Sequence, residues 1–176
     1  MKQKLFVFMI DALCEIDVGY MRTLPNFGSL LERGALVEEV LPVYPSFTYP
    51  CHTSIMTGCY PDRHGIPHNE MVRAGVHPVP WYTRREYVKQ KFFAEYAKDA
   101  GYSTCLINWP VSAGADVDWN LPMVIPMMYR GDDPLQFYEG CATRELLDRY
   151  YWKYGHLLRG LNREINASLD SFTNAV

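Results

Sequence analysis

LFVFMID, residues 5–11, decides how the fold is read. Six consecutive apolar residues closed by an acid fit a central strand of a parallel sheet, where both faces are covered and no polar alternation is needed. Two nearby lysines, Lys2 and Lys4, give the run the look of a secretory leader. Six apolar residues fall short of a leader's apolar core, and no small-residue cleavage site follows, so the run reads as a buried strand. Nothing in the chain approaches the roughly 20 apolar residues of a membrane span, and no membrane partner is expected.

Outward from that strand, LPNFGSLLERG (24–34) predicts a helix with Pro25 in its first turn, Phe27, Leu30 and Leu31 on its apolar face, and Gly34 as its stop. ALVEEVLPVY (35–44) predicts a second strand, nearer an edge because polar residues interrupt it. TRREYVKQKFFAEYAKDAG (83–101) is the clearest helical pattern, with Val88, Phe92, Phe93, Tyr96 and Ala97 on one stripe and Gly101 as the stop. YSTCLINW (102–109) predicts another strand. Strands alternating with helices predict an α/β fold, with a mostly parallel sheet flanked by helices.

Residues 110–134, rich in Pro, Gly, Asp and Met, read as a long irregular stretch of the kind that carries function. No strand is expected after Trp109. Residues 135–174 read as two helices broken near Gly155 or Gly160. So few strands for so much helix, in a pattern still helical at its end, predict that residues 1–176 are the N-terminal part of a single catalytic domain.

The chain has 176 residues, 48% apolar and 21% charged, with a net charge of −3 and scattered basic residues. That excludes a binder of nucleic-acid duplexes working through a basic surface. A small phosphorylated substrate is compatible, provided a metal or a helix N-terminus meets its charge. The five cysteines, odd in number and without a C-x-x-C pair, form neither a disulfide framework nor a zinc finger. Reduced thiols in a cytoplasmic protein are expected; the pattern specifies no oligomeric state.

Asp11 ends the most strand-like run, where open α/β sheets gather ligands. A carboxylate there is a metal ligand or, equally, the N-cap of whatever begins at Ala12. PVYPSFTYPCHTSIMTGCYPDRHG (42–65) places Ser46 and Thr48 just ahead of a short helix over 50–57, stopped by Gly58. A hydroxyl at that end faces unpaired N–H groups that favour an anion, so Thr48 is either a nucleophile toward phosphate or a simple cap. A Thr hydroxyl needs activation, and with no adjacent base a metal held by Asp11 would supply it. His52, His64 and His68 match no compact zinc spacing and take structural roles, His64 locking a turn. Asn69 can donate an amide hydrogen bond to a developing oxyanion, or simply form a turn.

Together, Asp11, LPNFGSLLERGA (24–35), LPVYPSFTYPCHTSIMTGCYPDRHGIPHNE (41–70) and NWPVS (108–112) resemble the nucleotide pyrophosphatase/phosphodiesterase branch of the alkaline phosphatase superfamily. Order and gaps match across residues 5–70, and more loosely to about 130. The resemblance implies an alkaline-phosphatase-like sheet and a metal-dependent hydrolase of phosphodiester or pyrophosphate bonds in nucleotide-type substrates. In it Thr48 would form a phosphoryl-enzyme intermediate and Asn69 would hold a non-bridging phosphate oxygen. Asp11 and Thr48 would bind one of two divalent metal ions, zinc by family habit. Tyr49 would stack on the leaving group or nucleoside, with Trp109 and Tyr129 as further substrate contacts. Cys51 and Phe47 depart from the family's Asn and basic residue. The D-x-x-x-H and D-H motifs of the second metal site do not occur in this chain, so it alone is expected to be inactive. Two other readings stand beside this one: a phosphonoacetate hydrolase-like enzyme cleaving a C–P bond, and a non-catalytic interaction protein using the Tyr-rich DRYYWKYGH (148–156).

Overall fold

The computed structural model describes residues 3–124 and 133–154. The chain divides into two compact units, Met1–Pro42 and Val43–Val176.

In the first unit the expected central strand does not form. Residues 5–10 take no regular secondary structure and enter no ladder among the described residues, and their apolar side chains are exposed, Phe6 by 85%. An apolar run becomes a strand only when neighbours take up its N–H and C=O groups, and the described residues around it form helices instead. Helix α1, Glu15–Met21, follows, with the Asp17 carboxylate accepting the Cys14 N–H at 3.0 Å. That hydrogen bond holds the Asp17 carboxyl below the usual carboxylate range. Helix α2, Pro25–Arg33, matches the sequence reading: Pro25 opens it and the Gly34 N–H closes it on the Leu30 carbonyl at 2.8 Å. Within it a Cβ on Gly28 would lie 2.6 Å from the Arg22 carbonyl oxygen, so the turn into the helix admits glycine alone. Residues 35–44 are irregular rather than a strand. Pro42 has no N–H to give a ladder, and Glu38 and Glu39 stay exposed.

The second unit holds α3 (Thr48–Thr57), α4 (Pro61–His64), α5 (Phe93–Asp99), β1 (Cys105–Ile107), β2 (Trp119–Leu121), α6 (Leu135–Tyr138) and α7 (Arg144–Leu146). The long helix expected over 83–101 is shortened to α5, preceded by a single 3-10 turn at Arg85–Tyr87. The cause is Arg85. Its guanidinium takes the Val88 carbonyl at 2.9 Å and the Gln90 carbonyl at 2.8 Å, acceptors that a continuous helix would have used for its own N–H groups. Glu95 then accepts the Phe92 N–H at 2.9 Å and starts the helix there, while binding Arg85 at 2.9 and 2.7 Å. Val88 and Phe92 remain buried as the stripe requires.

Strand β1 falls inside the expected 102–109 segment and pairs in parallel with β2, Leu106 opposite Asn120. Strand β2 lies in the stretch that the sequence reading left without strands. Its three residues stand between Asp118 and Pro122, too short a run to show alternation. A parallel pair with helices in one core gives the described residues α/β character. The core joins Tyr49, Met56, Ile66, Val88, Phe92, Leu106, Trp109 and Val111. A smaller cluster of Tyr138, Leu147 and Tyr151 holds α6 to the wider turn Leu147–Tyr151 that continues α7. The helical segment breaks at Gly140, whose φ of 73° is left-handed. Gly155 and Gly160 lie outside the described residues.

Candidate active site

Helix α3 begins earlier than its apolar pattern indicates. Thr48 is its first residue, and Phe47, extended at φ −86° and ψ 158°, holds the N-cap position. Thr48 is therefore not the cap. It sits half-buried in the first turn of a helix of ten residues, at the positive end of the helix dipole. Cys51 makes the first backbone turn with its N–H on the Phe47 carbonyl at 3.1 Å. Gly58, left-handed at φ 65°, ends the helix with its N–H on the Ser54 carbonyl at 2.8 Å.

The segment after α3 returns to its first turn. His64 is fully buried and accepts the Ile66 N–H at Nδ1, 3.1 Å away. That leaves its proton on Nε2, which stands 3.0 Å from the Ser54 hydroxyl on α3. Burial holds the imidazole below its ordinary pKa. The turn is locked as the sequence reading expects, and it carries Asn69 to its place. There the Asn69 Oδ1 accepts the Tyr49 N–H at 2.8 Å, and the Asn69 carbonyl accepts the Tyr82 N–H at 2.9 Å. With Oδ1 so engaged, the amide's Nδ2 remains as its donor. Thr48, Tyr49 and Asn69 are thus brought together on one helix end.

The aromatic positions behave differently. The Tyr49 ring is only 3% exposed, edge-on to Trp81 with centroids 5.3 Å apart, and burial pushes its hydroxyl up to about 12. Trp109, 7% exposed, lies edge-on to His52 at 5.0 Å, just past β1 where Asn108 and Val111 both take positive φ. The His52 Nδ1–H donates to the Thr48 carbonyl at 2.7 Å, linking Trp109 through His52 to the first turn of α3. Tyr129 lies outside the described residues. One ring pair escaped the sequence reading: Phe47 and His68 touch, centroids 4.1 Å apart. The signal was available, since each stands one residue before a named site residue.

Asp11 lies in the first unit, exposed, before a left-handed Ala12. It caps no helix, because α1 starts at Glu15 with Cys14 as its N-cap. Among the described residues no three His, Cys, Asp or Glu side chains come together as a metal-binding group. The donor set present does not by itself fit a metal ion.

What remains is the N-terminal turn of α3, at the positive end of the helix dipole, with the Thr48 hydroxyl in it and the Asn69 amide fastened beside it. Residues 5–172 match the family described as type I phosphodiesterase / nucleotide pyrophosphatase, and the chain belongs to that family. It is 32% identical over 123 residues to the human ectonucleotide pyrophosphatase/phosphodiesterase family member 1, covering 64% of this chain and 12% of that protein. An uncharacterized pyrophosphatase/phosphodiesterase of Schizosaccharomyces pombe is 45% identical over 53 residues, 30% of this chain and 11% of that one. A Caenorhabditis elegans ectonucleotide pyrophosphatase/phosphodiesterase is 32% identical over 80 residues, 44% of this chain and 9% of its own. The chain's matches span about a tenth of the length of these relatives.

Proposed function

We propose that this chain carries the nucleophile of an alkaline-phosphatase-like hydrolase that cleaves phosphodiester or pyrophosphate bonds in nucleotide-type substrates through a phosphoryl-enzyme intermediate, a nucleotidyl ester on Thr48. Family membership supports the reaction class. The observation that carries the residue assignment is the 2.8 Å bond from the Tyr49 N–H to the Asn69 Oδ1. It fixes the amide flip, so that Nδ2 is the atom left to donate to a non-bridging phosphate oxygen.

In this reading the first turn of α3 receives the phosphate, the Thr48 oxygen attacks phosphorus, and the leaving oxygen departs with its nucleoside or phosphate. Phosphorus keeps its remaining ester substituent, so the adduct on Thr48 is itself a phosphodiester; water then attacks it, releasing a phosphate monoester and restoring the Thr48 hydroxyl. Asn69 steadies charge on the equatorial oxygens, which is worth most in the transition state. Two divalent ions, zinc in the family, would lower the pKa of the Thr48 hydroxyl. Asp11 is one proposed ligand, and the further donors are not among the groups that the described residues assemble.

The test is acid quench of the full protein during turnover on a dinucleotide, followed by mapping of a nucleotidyl adduct on Thr48 by mass spectrometry. Thr48→Ala should lose both the adduct and turnover, and Thr48→Ser should keep a slower form of each. A panel of dinucleotides, nucleoside triphosphates and phosphonoacetate fixes the bond cleaved. Turnover that survives in Thr48→Ala, or cleavage of phosphonoacetate alone, would overturn the proposal.

A further inference from the structure

Thr48 and Asn69 are each preceded by an aromatic ring, and the two rings are in contact. Phe47 and His68 have centroids 4.1 Å apart at a tilt of 59°. The His68 ring is oriented by the Glu70 N–H, which donates to Nδ1 at 3.1 Å and so leaves the neutral ring's proton on Nε2. The same two segments are joined again by the Tyr49 N–H on the Asn69 Oδ1 at 2.8 Å. Two cross-links, on either side of Thr48 in the first segment and at adjacent residues in the second, hold the ring pair beside Thr48.

The exposure of these rings runs against the structural preferences of their positions. Helix N-caps favour Ser, Thr, Asp or Asn, and a phenylalanine there satisfies no N–H group. Phe47 nevertheless holds that position with 41% of its surface exposed. Meanwhile Tyr49 and Trp109, the described positions to which the resemblance gives substrate contact, are 3% and 7% exposed and present no ring face. The aromatic surface open beside the nucleophile is therefore that of Phe47, with the half-buried His68 behind it. A planar, apolar group stacks on such a surface, and the helix end one residue away favours an anion.

Building on the function proposed above, we infer that Phe47 and His68 form the specificity wall of this site. They receive the planar aromatic part of a phosphorylated substrate, a nucleobase or an aryl leaving group, in place of Tyr49 and Trp109. The wall selects for aromatic phosphates over aliphatic ones carrying the same charge.

The experiment is calorimetric titration of the full protein with adenosine 5′-monophosphate and, separately, ribose 5-phosphate. Both carry the same phosphate, and only one has a base. Wild type should bind the nucleotide more tightly. Phe47→Ala should weaken the nucleotide by about 5- to 100-fold, the span of stacking on one aromatic side chain. It should leave ribose 5-phosphate within about twofold, and Phe47→Tyr should restore the preference. His68→Ala should give a smaller loss of the same kind. The inference falls if wild type shows no preference, if Phe47→Ala weakens both ligands equally, or if it weakens neither. Should the preference exist and vanish in Phe47→Ala while no covalent adduct on Thr48 ever forms, the wall stands and the catalytic proposal alone fails.

Discussion

Asn69 has two tasks that substitution can separate, because its two amide heteroatoms do different things. Oδ1 accepts the N–H of Tyr49, a residue only 3% exposed, and Nδ2 is the proposed donor to substrate. Asn69→Leu removes both. It leaves the Tyr49 N–H buried without its acceptor, a loss of about 1–3 kcal/mol in unfolding free energy. Asn69→Asp keeps an oxygen for that N–H and adds a negative charge at the positive end of α3, so its stability should stay within about 0.5 kcal/mol of wild type. The catalytic consequences run the other way. A carboxylate at Nδ2 repels the phosphate oxygen it should stabilise, and loss of one such donor costs about 100- to 1,000-fold in kcat. Urea unfolding and kcat on a dinucleotide, measured on wild type and both variants, give the pattern: Asn69→Asp stable and slow, Asn69→Leu unstable and slow. Asn69→Asp with kcat within about threefold of wild type would refute the donor role. Asn69→Leu as stable as wild type would refute the tether.

Three further outcomes follow from the second unit. Glu95→Ala removes the cap of α5 and strands Arg85, whose side chain is 16% exposed against 6% for Glu95, so urea unfolding should show a loss of about 3–5 kcal/mol. Burial lowers the His64 pKa below its ordinary 6.5, so the unfolded chain binds the proton more readily than the folded one. Stability should therefore be full above pH 6.5 and fall as pH drops below it, and His64→Asn should flatten that slope in unfolding curves taken across the window. Gly65 holds φ at 84°, where a Cβ would also come 3.2 Å from the Lys89 chain. Gly65→Ala should cost about 1–2 kcal/mol, chiefly from the left-handed backbone since the lysine chain can shift, and the denaturation midpoint reports it.

Local chemistry was legible in the sequence, and pairing was not. Helix α2 appears where Pro25 and Gly34 bracket it, because caps and stops act within a turn of the chain. The helix expected over 83–101 shows the limit of that logic. Its apolar stripe does reach the core, yet one guanidinium takes two backbone carbonyls and breaks the run, and nothing in periodicity reports what Arg85 will bind. Strands suffer more, since a strand exists only through its neighbour. LFVFMI has the composition of a buried strand and no ladder among the described residues, whereas WNL, too short a run to carry a pattern, pairs with CLI.

For the candidate site, the sequence singled out Thr48 and Asn69 by motif, while only the structure says how they are joined. The joining runs through groups that carry no sequence signature: the N–H of Tyr49, the ring tautomer of His64, the backbone of Tyr82. This is why Tyr49 read as a substrate contact. Its place in the motif was visible, but its side chain and its main chain point to different tasks, the ring to the core and the N–H to Asn69. A buried ring makes a rigid anchor for the first turn of a helix, and in the proposed mechanism that rigidity would hold the Thr48 hydroxyl in place for an incoming phosphate. Core packing and the proposed nucleophile are then parts of one arrangement: burying Tyr49 fixes the N–H that Asn69 accepts, and the proposed aromatic wall falls to Phe47, the residue on the other side of Thr48.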